Sequence, residues 1–438
     1  MERVSPQPSP SAACLPGMSN LSSADTLGEA VGRRDSAPSM SCTISEQDTS
    51  LTKSPTSILR RRGQALFARR LTLETKQRLI GDTIAKDKDG SGFSAKQHPA
   101  AAMQTPGMVL SVWGSATADE DRFAPYFAQK GINWDGEIRS MPHRIGLKCH
   151  RGLKPDSPNQ DDFFVLARPD SLLFGVLDGH GPDGHIVAHF AQERLPTKVM
   201  ECLRKDSEAW EEAVKSAVSE ICEDAREKLG SKAHGSGCTV TLAFMDNGPN
   251  AQSSKPMRLR TAFLGDSMAV HGSRKGGRGS KWDVNILTDI HRPDRPDEEQ
   301  RIIEAGGSVL PANSQCAGSP SRLLTPEWNL AMSRSFGDFH CAQYGLSHEP
   351  EIGPCQEFDE KLEHLVLVCS DGVWDVIPPA QAVQFVGKFR PEEAQLAVDR
   401  LVSKAQLRWQ EMDDVVDDIT AILVWPNFAD EAATGEVA

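Results

Sequence analysis

Residues 172–185 read LLFGVLDGHGPDGH, and the break inside them decides how the rest of the chain is read. An apolar run reaches Asp178 and gives way at once to Gly179, His180, Gly181, Pro182, Asp183, Gly184 and His185. The run has the length and content of a buried strand. A carboxylate at the end of such a strand is costly unless it is paired, hydrogen-bonded or bound to a cation.

The same pattern recurs. Asp266 ends RTAFLGD, Asp371 ends LVLVCSD and Asp417 opens DDITAILV. One acid at a strand end is an ordinary turn or cap residue. Four of them converge on one point if their strands are neighbours. Oxygen donors without Cys, and with no H-E-x-x-H pattern, suit Mg²⁺ or Mn²⁺ rather than structural zinc. Several acids exceed the needs of one ion, and two cations roughly 3.5 to 4 Å apart are the usual arrangement for in-line phosphoryl displacement. Gly179 would let a backbone carbonyl approach a cation with no side chain in the way, and His180 is placed to donate a proton.

Working outward, short apolar runs alternate with helical patterns from about residue 143. DFFVLARP, SLLFGVLD, CTVTLAFM, RLRTAFLGDSMAV, WDVNILT, HLVLVCSD and DITAILVW read as strands. Apolar residues at three- and four-residue spacing predict helices over 184–204, 207–230, 379–388 and 391–409. Strands joined by turns favour antiparallel pairing, and so an α+β fold of layered sheets with helices outside.

The net charge is −13, with 14 Lys+Arg against 10 Asp+Glu in residues 1–100 and −17 over the remainder. A strongly acidic main body argues against nucleic acid as ligand and suits a site that gathers cations. Ten cysteines without a C-x-x-C pair, no apparent secretory signal and no run of about 18 apolar residues lead us to expect an intracellular protein, cytoplasmic or nuclear, with no transmembrane segment. Residues 1–57 have the Ser/Pro-rich composition of a disordered tail. Residues 58–135 read as a basic helical segment and linker. The basic part, 58–85, is either a solvated tail helix or a contact for a partner or an acidic membrane surface. Residues 87–98, DKDGSGFSAKQH, begin like a calcium loop but place His98 where a bidentate Glu is required and Ser94 where an apolar residue is. Residues 316–322, CAGSPSR, have a C-x5-R spacing but follow a polar stretch rather than a strand, and read as a loop.

KPDSPNQDDFF, VLDGHGPDGH, GSGCTVTLAF, AFLGDS, LTDIHRPDRPDEEQRIIEAGG, NLAMSRSFGDF, LVLVCSDGVWDVI and DDITAILV follow one another in order. On these motifs the chain resembles the metal-dependent protein Ser/Thr phosphatases of type 2C (PPM). The resemblance implies a catalytic domain over 143–427 with a C-terminal tail at 428–438, built as an α-β-β-α sandwich of two mainly antiparallel sheets flanked by helices, with a flap around 280–328. It implies two ions, with Asp178 bridging them, Gly179 binding one through its carbonyl, and Asp371 and Asp417 completing the other. Asp266 would serve a third, weaker ion, and Asp161 would hold metal-bound water. It further implies attack on phosphoserine or phosphothreonine by a water bridging the two metals, with His180 as general acid, on phosphorylated protein substrates, by a monomer. Lys154, with Arg151 as the alternative, is the candidate phosphate-holding base. Three positions depart from the family's habit: Gln160 where Glu is common, Met268 where Arg is common and Asp418 where Asn is usual. The alternative is a catalytically silent phosphoprotein-binding module. His185 and His189 read as packing or surface groups, Arg334 as a packing group or a partner for an acid, and Asp338 as a cap or water ligand.

Overall fold

A computed structural model of the chain describes residues 108–118, 130–136, 143–154, 157–247, 256–312, 320–327, 329–412 and 415–426. The chain divides into units 1–92 and 93–438, and all described residues belong to the second. The expectations for the Ser/Pro-rich tail, the basic segment at 58–85, the calcium-like loop and the tail at 428–438 fall outside the described residues. So does most of CAGSPSR.

In chain order the main elements are β1 (Leu110–Gly114), β2 (Ile132–Gly136), β3 (Arg144–His150), β4 (Asp162–Ala167), β5 (Ser171–Leu177), α1 (Gly184–Lys205) and α2 (Trp210–Leu229). They continue with β6 (Val240–Asp246), β7 (Arg258–Leu264), β8 (Met268–Arg274), β9 (Asp283–Ile286), α3 (Pro296–Glu304), β10 (Ser308–Leu310), β11 (Arg322–Leu324) and β12 (Asn329–Leu330). The last are β13 (Glu363–Cys369), α4 (Asp371–Trp374), α5 (Pro379–Val386), α6 (Ala394–Met412) and β14 (Ile419–Trp425).

One sheet runs Glu351–Ile352, β7, β6, β5, β4, β1, β2; the other runs β9, β8, β13, β14, β3. All pairings within them are antiparallel. Phe163, Val165, Phe174 and Val176 face Leu147, Val366, Val368, Ile422 and Val424 in the core between the sheets. Their chain neighbours Phe164, Leu166, Leu173 and Leu177 join Leu195, Val199, Ala217 and Ile221 of α1 and α2. Leu365, Leu367 and Leu423 join Val383, Val386, Leu401 and Val402 of α5 and α6. The layers are thus α-β-β-α, as expected. Strands buried on both faces have no polar alternation, which is why they read as continuous apolar runs.

Two features differ from the sequence reading. RLRTAFLGDSMAV, read as one strand, is two: β7 lies in the first sheet and β8 in the second, with Gly265, Asp266 and Ser267 crossing between them. The first sheet also begins before residue 143. β1 pairs with β4, from Leu110 opposite Ala167 to Trp113 opposite Phe164, and β2 pairs outside it. Five-residue strands with polar content carry a weak apolar signal, and pairing with a central strand rather than propensity makes them strands.

The expected flap corresponds to α3 and the small β10-β11-β12 sheet, packed around Ile302, Leu323, Cys341 and Leu346. β9, at its expected start, belongs instead to the main sheet. The flap is anchored by Glu298, a fully buried acid gripped by Arg301 (2.6 and 2.7 Å), Arg334 (2.7 and 3.0 Å) and the Ser333 hydroxyl. Arg334 is therefore the partner of a flap acid. Burial pushes the Glu298 carboxyl up, but Arg301, Arg334 and Ser333 outweigh it and hold it well below the usual range.

An acid depressed in the folded state adds stability that is full above its unfolded pKa, about 4.3, and is lost as pH falls through the folded value. Glu298→Gln should therefore cost about 2–3 kcal/mol at pH 7, because the partly buried Arg301 and Arg334 lose their buried countercharge. In thermal melts the gap from wild type should narrow steadily below about pH 4.

Candidate active site

The registers bring the acids together. Asp162 pairs with Leu177, so Asp161 and Asp178 are the next residues at the same end of neighbouring strands β4 and β5. In the second sheet Met268 pairs with Cys369 and Cys369 with Ala421, which sets Asp266, Asp371 and Asp417 just beyond the strand ends. Hydroxyls tie the two sheets beneath them. The Asp178 N–H donates to Thr239 Oγ1 (3.0 Å), which meets Ser267 Oγ (2.7 Å). Asp161 Oδ2 accepts from Ser370 Oγ (3.0 Å) and Thr420 Oγ1 (2.6 Å).

These acids are crowded. Burial pushes the Asp178 carboxyl well above its ordinary range, and Asp371, Asp161 and Asp417 push it further. Burial, then Asp417 and Asp266, do the same to Asp371, whose side chain is hydrogen-bonded to that of Asp178. Two carboxyls touch in this way only with a proton or a cation between them. Asp161 is pushed up to about 7 by burial and by Asp418. Asp266 is raised by burial, and Asp375, one helical turn beyond Asp371, is raised to about 6 by burial and by Asp266. Oδ1 of Asp161, of Asp266 and of Asp371 is buried with no hydrogen-bond partner. Such atoms cost free energy unless something outside the chain satisfies them.

Lys154, the candidate phosphate-holding base, lies among these acids. Lys154 Nζ sits on Asp417, within 3.8 Å of Asp418, and these acids outweigh burial to raise its pKa well above the ordinary value. Arg151 is buried and donates to the Ser157 carbonyl (2.5 Å), shaping the loop that carries Lys154. Among the described residues no three His, Cys, Asp or Glu side chains close tightly enough to hold an ion by themselves.

His180 lies on the short strand Gly179–His180, which pairs with Gly237–Cys238. Its Nε2 meets Asp338 Oδ2 at 2.6 Å, and the same oxygen accepts from Ser335 Oγ at 2.7 Å. Burial lowers the His180 pKa, but Asp338 outweighs it and the net shift is upward. Nδ1 is buried with no partner in the protein. Asp338 is fully buried at φ 49°, a strained conformation for a residue other than glycine.

Gly179 has a reason beyond approach to a cation. A Cβ there would lie 2.4 Å from the Gln160 carbonyl and 2.7 Å from that of Gly184. Among the departures, the Gln160 amide donates to the Gly181 carbonyl (2.7 Å), and Asp418 accepts the N–H groups of Gly152 (2.8 Å) and Gln160 (3.0 Å). His189 Nδ1 donates to Asp162 Oδ2 (2.9 Å), and His185 is buried in α1.

The family model for protein phosphatase 2C matches residues 153–412. The chain belongs to the protein phosphatase 2C family. It is 28% identical over 375 residues to the rice (Oryza sativa subsp. japonica) protein named "Probable protein phosphatase 2C 48", covering 78% of this chain and 94% of the relative. It is 31% identical over 309 residues to the rice "Probable protein phosphatase 2C 64", covering 68% and 67%. The fold is similar to the crystal structure of a serine-threonine phosphatase 2C from Toxoplasma gondii, with a TM-score of 0.55 at 21% identity, covering 65% of this chain and 96% of that one. The chain is thus a protein Ser/Thr phosphatase of a metal-dependent family. Among the described residues no helix is long and apolar enough to cross a membrane.

Asp338 was not assigned to His180 from sequence, because 158 residues separate the two. If Asp338 holds His180 as a proton donor, Asp338→Asn should lower kcat on a phosphoserine peptide by ~10- to 100-fold. On an aryl phosphate, whose leaving group needs no proton, the loss should be much smaller. In a His180→Ala background the second substitution should add nothing further, a non-additivity that steady-state kinetics on the four proteins will read.

Proposed function

We propose that this phosphatase hydrolyses phosphoserine and phosphothreonine at a site for two divalent cations, Mg²⁺ or Mn²⁺, with a weaker third. The observation that carries this reading is the set of buried, partnerless carboxylate oxygens on Asp161, Asp266 and Asp371 where strands of both sheets end. Asp178, Asp371, Asp417 and the Gly179 carbonyl are the hard oxygen donors for the pair, and Asp266 for the third. The position of Lys154 on Asp417 supports the fit, since an ammonium already stands there as countercharge. When bound, such ions lower the pKa of water and take up charge on the phosphoryl group.

The chain's own residues supply the rest. Asp161, with Oδ2 fixed by two hydroxyls, has Oδ1 left to accept a hydrogen bond from the attacking water. Lys154 is a quarter exposed beside the acids and can meet a phosphoryl oxygen with a charge-assisted bond. His180, kept charged by Asp338, gives its proton to the departing seryl or threonyl oxygen, a poor leaving group without it. The substrates are phosphorylated proteins, met by a monomer.

Release of phosphate from p-nitrophenyl phosphate should require Mn²⁺ or Mg²⁺ and stop with a chelator. Asp178→Asn should abolish it while the protein stays folded, since relief of acid repulsion favours the fold. Near-normal turnover of Asp178→Asn at saturating Mn²⁺ would sink the two-cation assignment. Lys154→Ala should raise KM several-fold, equivalent to about 1 kcal/mol, with a smaller change in kcat.

A further inference from the structure

The segment leading into β2 reaches the active site through one buried side chain. Lys130 Nζ lies 2.5 Å from the peptide carbonyl of Asp161 and 2.9 Å from Asp162 Oδ2, with its side chain almost completely buried. The carboxylate it meets is itself fixed on both oxygens. Asp162 Oδ2 also meets His189 Nδ1 (2.9 Å), and Oδ1 accepts the N–H of Phe163 (2.9 Å). Space for this pair is made by Gly114 of β1, where a Cβ would come within 2.1 Å of Asp162 Oδ1 and 3.2 Å of Lys130 Cε. The α1 residue Gln192 closes the arrangement by donating to the carbonyls of Gly114 (3.3 Å) and Phe163 (3.2 Å). The Asp161 N–H is held by Asn159 Oδ1 (3.0 Å), so both peptide groups flanking the Asp161 side chain are tied down.

A buried lysine is an expensive way to stabilise a strand end, because an apolar residue would fill the space without desolvating a charge. What it adds is direction. We propose that Lys130 is a positioning residue for the phosphatase reaction, its ammonium fixing the Asp161 carbonyl and the Asp162 carboxylate so that Asp161 Oδ1 is aimed into the site. This deepens, and rests on, the assignment of Asp161 above. It also makes β1 and the approach to β2 part of the catalytic unit, upstream of all eight sequence motifs.

The test uses the full chain with Lys130→Met, the Lys130→Met/Asp162→Asn double variant and the Asp162→Asn control. The double variant leaves no unpaired buried charge, so it separates loss of the clamp from loss of the fold. For the folded variants lacking Lys130, kcat on p-nitrophenyl phosphate should fall ~10-fold or more with KM within about twofold. Mn²⁺ affinity read by calorimetry should weaken ~10-fold, the usual range for residues that orient a site from behind. Asp162→Asn alone, which keeps the Lys130 bond to the Asp161 carbonyl but removes its countercharge, should fall between wild type and the Lys130 variants on both measures. Wild-type kcat and Mn²⁺ affinity in a folded double variant would overturn the proposal. So would failure of both Lys130 variants to fold, which would make Lys130 a stabilising group only. A wild-type chain that releases no phosphate would instead overturn the functional reading beneath it.

Discussion

The repulsion among buried carboxylates at one end of the sandwich is the constraint on which the rest of this structure depends. Asp178, Asp371, Asp161 and Asp266 are each pushed above their ordinary pKa by burial first, and Asp178, Asp371 and Asp161 by one another or by neighbouring acids next. A fold does not hold such a cluster without support elsewhere. Here the support is two sheets in strict antiparallel register, three apolar layers, and a floor of Thr239, Ser267, Ser370 and Thr420 hydroxyls that fixes the backbone below the acids.

Countercharge reaches the cluster from three parts of the chain. Lys154 meets Asp417, His180 meets Asp338 and Lys130 meets Asp162, each from a different part of the chain. Asp161, Asp266 and Asp371 each keep a buried oxygen that no protein group meets. An arrangement that neutralised every acid internally would be more stable and chemically inert. On the proposed function, these unsatisfied oxygens are what a divalent cation would meet there.

Much of this was legible in the sequence because the acids interrupt apolar runs. A strand buried on both faces reads as a block, and an Asp at its end stands out, as at Asp178 and Asp371. Resemblance to a family then supplied the roles that spacing alone could not. Three things were not legible, each for a physical reason. The turn at Gly265–Ser267 carries the chain between sheets with too few residues to break the apolar pattern, so β7 and β8 read as one strand. Asp338 and Lys130 matter through partners far along the chain, which no local period encodes. The glycine after Asp178 read as room for an ion; that the Gln160 and Gly184 backbones also approach it closely is visible only in the fold. The departures at Gln160 and Asp418 likewise have work in the backbone, as an amide to Gly181 and as an acceptor for Gly152 and Gln160.

The most direct test is a comparison of melting temperatures for wild type and Asp371→Asn, near pH 7.5, with a chelator and with Mn²⁺. With chelator the variant should melt higher, because it removes one of two touching carboxyls whose ionisation opposes folding. With Mn²⁺ the order should reverse, since only the wild type gains the full stabilisation of a ligand that binds the folded state. A variant that melts lower in chelator, together with a wild type indifferent to Mn²⁺, would show that the acids are stably paired within the protein and contradict a cation-dependent site.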